Sequence, residues 1–295
     1  MYTTLISAEQ LQALKAARTR HLVFDCSFDL MAPHNGEQQY RQSHIPGAVY
    51  ANLDTALSDK GMPDVNGKYH TPSDAASGGR HPLPSLEKFA FWLSTVGFAN
   101  DMQAIVYDRQ GNNYCGRLWW MLKWAGHVNV AVLDGGLKAW SEAGGDTASG
   151  EETAHFQTNF ATGEPLVTLA TTSVVRKGLE GGKQTIIDAR ATARFKGEVE
   201  PLDPVAGHIP GALNRPFALN MGADGKFKPA AQLKAEFTEL LAGRDPASVV
   251  HHCGSGVSAV PNLLAMDIAG LGTPALYAGS WSEWCGDASR PVAKG

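Results

Sequence analysis

The pentapeptide His-Ile-Pro-Gly-Ala occurs twice in this chain, at 44–48 and at 208–212, and its neighbours repeat with it. Ile186-Ile187-Asp188 in the second half answers Phe24 and Asp25 in the first, and Tyr277-Ala278-Gly279-Ser280-Trp281 with Trp284 answers Leu133 to Leu137 with Trp140. Segments that recur in one order at nearly constant offsets mark two copies of one folding unit. A chain of 295 residues is also what two domains ordinarily need.

Within each copy, apolar runs alternate with helical patterns. Ser7-Ala8-Glu9-Gln10 has the form of a capping box, a serine whose hydroxyl accepts from N–H groups freed at a helix start, and Leu11 and Leu14 follow. His21–Cys26, Gln103–Asp108 and the run from Val130 read as buried strands, while Ser85–Val96 and Cys115–Gly126 read as helices. A polar, glycine-rich loop spans about 54–79. Strands alternating with helices predict an α/β fold, here two tandem domains, each a central, mostly parallel sheet flanked by helices. The two pentapeptides read as strand-entry turns, with proline fixing one angle and glycine freeing the next. Between the copies, 142–152 is small and polar, so the expected division is 1–145, a linker over 146–162, and 163–295.

Composition narrows the partners. At 43% hydrophobic and 18% charged residues the chain has ordinary cores, and a net charge of −4 gives no electrostatic basis for nucleic acid or an anionic membrane. The first residues lack the basic flank and apolar core of a signal peptide, and no segment is long enough to span a bilayer. Cys26, Cys115, Cys253 and Cys285 are scattered, with no pair at metal-ligand spacing. A soluble, cytoplasmic protein without metal or cofactor is expected, since neither a Walker loop nor a dinucleotide glycine motif is present.

The stretch with chemistry in it is His251-His252-Cys253-Gly254-Ser255-Gly256-Val257-Ser258-Ala259. An apolar run precedes it, and 259–269 reads as a helix with Pro261 in the first turn. A free cysteine is only a few per cent thiolate near pH 7, but a glycine loop that turns N–H groups inward, at the positive end of a helix, favours the ionised sulfur. Cys253 is therefore the candidate nucleophile. His251 and His252 alternate to opposite faces of the strand, so at most one can approach the thiol, and roles in packing or in supporting the groups around the site are expected for them.

Cys-Gly-Ser-Gly-Val-Ser-Ala resembles the active-site loop of the 3-mercaptopyruvate sulfurtransferases, within the wider rhodanese superfamily, with Ser258 where threonine is usual. Gly279-Ser280-Trp281-Ser282-Glu283-Trp284 resembles a second signature of those enzymes, and the resemblance covers nearly the whole chain. It implies two rhodanese-like domains, the first catalytically silent and the second carrying the cysteine. The repeat agrees, because Asp108 falls where the second copy has Cys253, and an aspartate cannot carry sulfane sulfur. Cys115 then reads as packing.

The resemblance also implies a site. Gly254, Ser255, Gly256, Val257 and Ser258 form the persulfide loop; Ser255, His81 and Asp54 match a proton relay that protonates an enolate leaving group. Asp54 reads equally well as a turn residue capping its own backbone, and His81 as a loop histidine. Arg194 matches one of two arginines that bind the substrate carboxylate. The second is missing, since Leu202 follows Glu200-Pro201 where arginine is usual; Arg215 is the expected replacement. Arg190 reads as a structural ion-pair member.

The expected activity is transfer of sulfane sulfur from 3-mercaptopyruvate, through a Cys253 persulfide, to cyanide, a small thiol or thioredoxin. Thiosulfate is the alternative donor. A dianion favours a cationic loop, and Gly254 and Ser255 are neutral. A non-catalytic binding or sulfide-sensing protein is the alternative of another class. A cysteine phosphatase is nearly excluded, because Ala259 stands six positions after the cysteine, where a phosphate-binding arginine is required.

Overall fold

The computed structural model describes residues 1–65 and 68–295 and divides them into two compact units. The first holds Met1–Ser58, Pro84–Leu166 and Ala223–Phe227; the second holds Asp59–Leu83, Val167–Gly222 and Lys228–Gly295. Neither is continuous in sequence, which pattern reading alone does not reveal. The glycine-rich stretch 54–79 falls mostly in the second unit, and its residues 66 and 67 lie outside the described residues. The run read as a linker is strapped to the first unit: Ala148 and His44 exchange backbone hydrogen bonds, and Phe160 N–H donates to Ser94 Oγ at 2.9 Å.

In the first unit, β1 (Leu5–Ile6), β2 (His21–Asp25), β3 (Ala48–Tyr50), β4 (Gln103–Tyr107) and β5 (Val130–Leu133) form one sheet in the order β1-β5-β4-β2-β3, every pair parallel. Five helices connect them: α1 (Ala8–Ala16), α2 (His34–Gln42), α3 (Leu86–Thr95), α4 (Cys115–Trp124) and α5 (Gly136–Glu142). Ser7 closes the expected capping box, its Oγ accepting from Gln10 N–H while Ser7 N–H donates to the Gln10 side chain. All five residues of β4 are buried, as a central parallel strand requires.

The second unit repeats the plan. β6 (Thr185–Asp188), β7 (Leu213–Asn214), β8 (Val249–His252) and β9 (Ala275–Leu276) run parallel in the order β7-β6-β8-β9. This is the order β3-β2-β4-β5 over again, and a single parallel bridge from Leu169 to Leu276 stands where β1 would be. The helices are α6 (Thr172–Gly181), α7 (Thr192–Phe195), α8 (Ala230–Leu241), α9 (Val260–Ile268) and α10 (Ser280–Trp284).

Both pentapeptides are structural. His44 Nδ1 bonds Tyr40 O at 2.7 Å with its ring stacked on Tyr40, and His208 Nδ1 bonds Phe195 O at 2.8 Å with its ring stacked on Phe195. Gly47 and Gly211 follow in the left-handed region, at φ 80° and 76°. No helix among the described residues is long and apolar enough to cross a membrane.

Candidate active site

β8 ends at His252, and residues 253–259 lead into α9, with Pro261 in its first turn. Cys253 is 2% exposed. Two carbonyls of this loop are held from one side by α10: Trp281 N–H donates to Cys253 O at 3.0 Å and Ser282 N–H to Gly254 O at 2.9 Å. In a trans peptide the N–H points opposite its carbonyl, so both bonds turn the N–H groups of Gly254 and Ser255 away from α10. The Ser280 hydroxyl completes the support, accepting Cys253 N–H at 3.1 Å and donating to Tyr277 O at 2.9 Å. The tryptophan-bearing signature is thus the platform on which the cysteine loop is set.

Gly256 is required by space as well as angle. Its φ is +74°, and a Cβ there would lie 2.2 Å from Ala278 O. The N–H groups of Gly254, Ser255, Val257, Ser258 and Ala259 have no protein acceptor among the described residues. Five open donors and the start of α9 make a cradle for an anion at the cysteine.

Ser255 is 6% exposed, and its Oγ shares a 2.7 Å hydrogen bond with Nδ1 of His81, itself 2% exposed. His81 comes from the segment Asp59–Leu83, which belongs to the second unit. Its neighbour Arg80 is anchored by its N–H to Ser282 Oγ at 2.9 Å. Asp54 belongs to the first unit, in a turn where its N–H donates to Asn52 Oδ1 at 2.8 Å.

Arg194, on α7, leans over the loop, and Arg80 meets it there. A Cβ on Gly254 would lie 3.0 Å from Arg80 Nη2 and 3.6 Å from Arg194 Nη1. Asp203 joins the two arginines, one carboxylate oxygen accepting from Arg80 Nη1 and the other from Arg194 Nη2 at 3.2 Å. Glu200 holds Arg194 from behind through Nε at 3.2 Å and Nη2 at 2.7 Å, and also takes the N–H groups of Leu202 and Asp203. Burial works against the Glu200 carboxylate, but Arg194 and these N–H groups outweigh it and bring its pKa below the usual range. For Asp203 burial wins and its pKa is raised, with Arg80 and Arg194 pulling against it. Arg80 Nε and Nη2 and Arg194 Nη1 donate to no protein acceptor among the described residues. Free guanidinium donors beside a buried thiol are what an anionic sulfur donor needs.

Arg80 escaped the sequence reading. Its signal was its place beside His81 after two glycines, but only the path of 59–83 into the second unit gives it meaning. Arg215, expected to replace the missing arginine, is engaged elsewhere. Its Nε donates to Asn220 at 3.0 Å, its Nη2 to Glu236 at 2.7 Å, and the guanidinium lies over the Phe237 ring. Glu236, 21 residues downstream on α8, draws it into the packing between α8 and β8. Its recorded partners include no residue of the Cys253 loop.

His251, His252, Arg190 and the other cysteines are held as follows. His251 is fully buried, with Nε2 3.2 Å from Met266 Sδ, and burial pushes its pKa down to about 3. His252 bonds its own loop through Nδ1 to Cys253 O at 3.1 Å. Arg190 grips Asp188, with Nη2 at 2.7 Å, reaches Glu200, and stacks over Trp281. Burial raises the Cys26 and Cys115 thiols well above the usual range, and Cys285 is raised for the same reason.

At the matching place in the first unit, Asp108 follows β4. Its two carboxylate oxygens accept four backbone N–H groups, from Gln110, Asn112, Tyr114 and Cys115, at 2.7 to 2.9 Å. The loop geometry is retained, and the residue at its centre fills it.

Comparison with known proteins agrees with this geometry. The rhodanese-like domain matches twice, over residues 7–143 and 171–287. A "probable 3-mercaptopyruvate sulfurtransferase" of Pseudomonas aeruginosa is 43% identical over 99% of this chain and 98% of its own length. A "putative thiosulfate sulfurtransferase SseB" of Mycobacterium tuberculosis is 36% identical over 99% and 97%. Among solved structures, Tum1 of Saccharomyces cerevisiae superposes with a TM-score of 0.83 at 25% identity, covering 99% of this chain and 98% of that one. Two family matches in one chain, with relatives aligned over almost their full length, place this protein in the rhodanese family as a tandem-domain sulfurtransferase.

Proposed function

We propose that this sulfurtransferase takes its sulfur from 3-mercaptopyruvate and carries it as a persulfide on Cys253. The observation that carries the choice of donor is the 2.7 Å hydrogen bond between Ser255 and His81 inside the cysteine loop. When the Cys253 thiolate attacks the substrate sulfur, a sulfur–sulfur bond forms and the carbon–sulfur bond breaks. The carbon keeps the electron pair and leaves as the enolate of pyruvate, which must gain a proton. Ser255 backed by His81 is placed to deliver one. Thiosulfate would leave as sulfite, which needs no proton at that step, so a serine–histidine pair in the loop would have no task.

Arg80 and Arg194 are read as the pair that binds the substrate carboxylate, Arg80 taking the part of the arginine missing at Leu202. The N–H cradle then holds the outer sulfur. In the second half-reaction a cyanide, small thiol or thioredoxin thiolate attacks that sulfur, and Cys253 leaves as thiolate. The first unit carries no sulfur in this scheme, and the setting is the cytoplasm. By the family resemblance Asp54 belongs to the proton relay; an Asp54→Asn enzyme with unchanged kcat removes it.

Thiosulfate remains the second reading, favoured by the name of the Mycobacterium relative and by two guanidiniums that suit a dianion. Catalytic efficiency measured side by side with both donors decides. A preference for thiosulfate overturns the donor assignment. No mass gain of about 32 Da on the intact protein after either donor overturns the persulfide itself.

A further inference from the structure

Three arginines and three carboxylates meet behind the cysteine loop: Arg80, Arg190 and Arg194 with Asp188, Glu200 and Asp203. Their formal charges cancel. Arg190 is closed off between Asp188 and Glu200, with its side chain 1% exposed. Glu200 has four kinds of partner and serves the turn 200–203 as much as any arginine. Asp203 differs from both. Its side chain is 3% exposed, and it is the one carboxylate that touches both arginines facing Gly254.

We propose that Asp203 is the positioning residue that sets donor choice. By accepting from Arg80 with one oxygen and Arg194 with the other, it fixes the spacing of two guanidiniums that arrive from distant parts of the sequence. It also adds its negative charge to that of Glu200 beside the pair, which opposes a second negative charge on a ligand. A planar carboxylate with one negative charge matches such a pair; a tetrahedral dianion would be under-compensated. Gly254 lies against the same pair, since a Cβ there would meet Arg80 Nη2 at 3.0 Å and require it to shift slightly. This inference rests on the carboxylate-binding role given to Arg80 and Arg194 above.

The test is Asp203→Asn, a near-isosteric change that removes the charge and one acceptor, assayed with 3-mercaptopyruvate and thiosulfate after thermal melting shows a folded protein. KM for 3-mercaptopyruvate is expected to rise about tenfold with kcat held within about twofold, as for loss of binding shared by ground and transition states, while KM for thiosulfate falls. Equal loss with both donors, or no change with either, overturns the proposal, because a residue that only supports the fold has no reason to tell them apart. Arg80→Met and Arg194→Met separate the two layers. If neither raises KM for 3-mercaptopyruvate, the carboxylate-binding reading fails; if both do and Asp203→Asn leaves the donor ratio alone, only the role of Asp203 fails. The unaltered enzyme gives a check that needs no variant. Pyruvate is expected to compete with donor at lower concentration than sulfate, and the reverse order counts against a pair tuned to a monoanion.

Discussion

The loops at Asp108 and Cys253 begin from one design, a central parallel strand, a tight turn of N–H donors and a helix behind, and finish in opposite conditions. In the first unit four donors close on a carboxylate that belongs to the chain. In the second, five donors have no protein acceptor among the described residues. Leaving a buried N–H without any partner costs about 1–3 kcal/mol, a cost that the Asp108 carboxylate removes within the first unit. The first unit satisfies its loop donors from within the chain and the second does not, and the residue after the strand decides which.

Four experiments press on that contrast. The largest effect is expected for Cys253→Ser, which keeps the open cradle but removes the nucleophile. Turnover with either donor should fall by about a thousandfold or more, with the melting temperature little changed; residual turnover near wild type would mean that the sulfur travels elsewhere.

Next come Ser255→Ala and His81→Gln. Each is expected to lower kcat with 3-mercaptopyruvate by about 10²–10³ and to affect thiosulfate by less than about tenfold, since only the enolate needs a proton. Equal losses with both donors would make the pair a support for the loop.

Third is Asp108→Ala, the mirror of the cysteine change. It strands four N–H groups, so equilibrium unfolding should show a loss of about 2–4 kcal/mol in the first unit, while the protein that remains folded keeps its turnover. A loss no greater than that of Cys253→Ala would erase the contrast.

The smallest is a pH effect at the strand end, where His251 stands in the place of Val106. Its folded pKa of about 3 lies below the ordinary imidazole value of 6.5, so the unfolded chain binds the extra proton between these limits. Stability therefore falls as pH drops from 6.5 towards 3, with a slope of up to about 1.4 kcal/mol per pH unit. His251→Val should flatten that limb in urea melts at a series of pH values; an unchanged slope would assign the acid sensitivity to other groups.

What the sequence disclosed was local. The capping box at Ser7, the turn residues of both pentapeptides and Gly256 beside Cys253 act through their immediate neighbours, and each took the expected form, while Gly254 adopts no positive φ. The parallel sheets followed from the alternation of strands and helices. Arg80 was hidden because its partner Asp203 lies 123 residues away and its segment crosses into the second unit. Arg215 was misplaced for the converse reason: a lone arginine looks available until a glutamate on another helix closes on it, as Glu236 does, its carboxyl held down at about 2 against burial by Lys228 and Arg215. Charge partners across long separations are not written in motifs.

The platform beneath the thiol has a consequence for synthesis. α10 follows the cysteine by more than two dozen residues in translation order, yet it supplies the donors that orient the first two loop peptides. A ribosome that has completed β8 has therefore made the thiol without the donors that orient its loop. On the proposed function, uptake of sulfur waits until Ser280–Trp284 has emerged and docked, and a polypeptide ended at residue 278 is expected to take up none. The order of synthesis in this way puts the platform last.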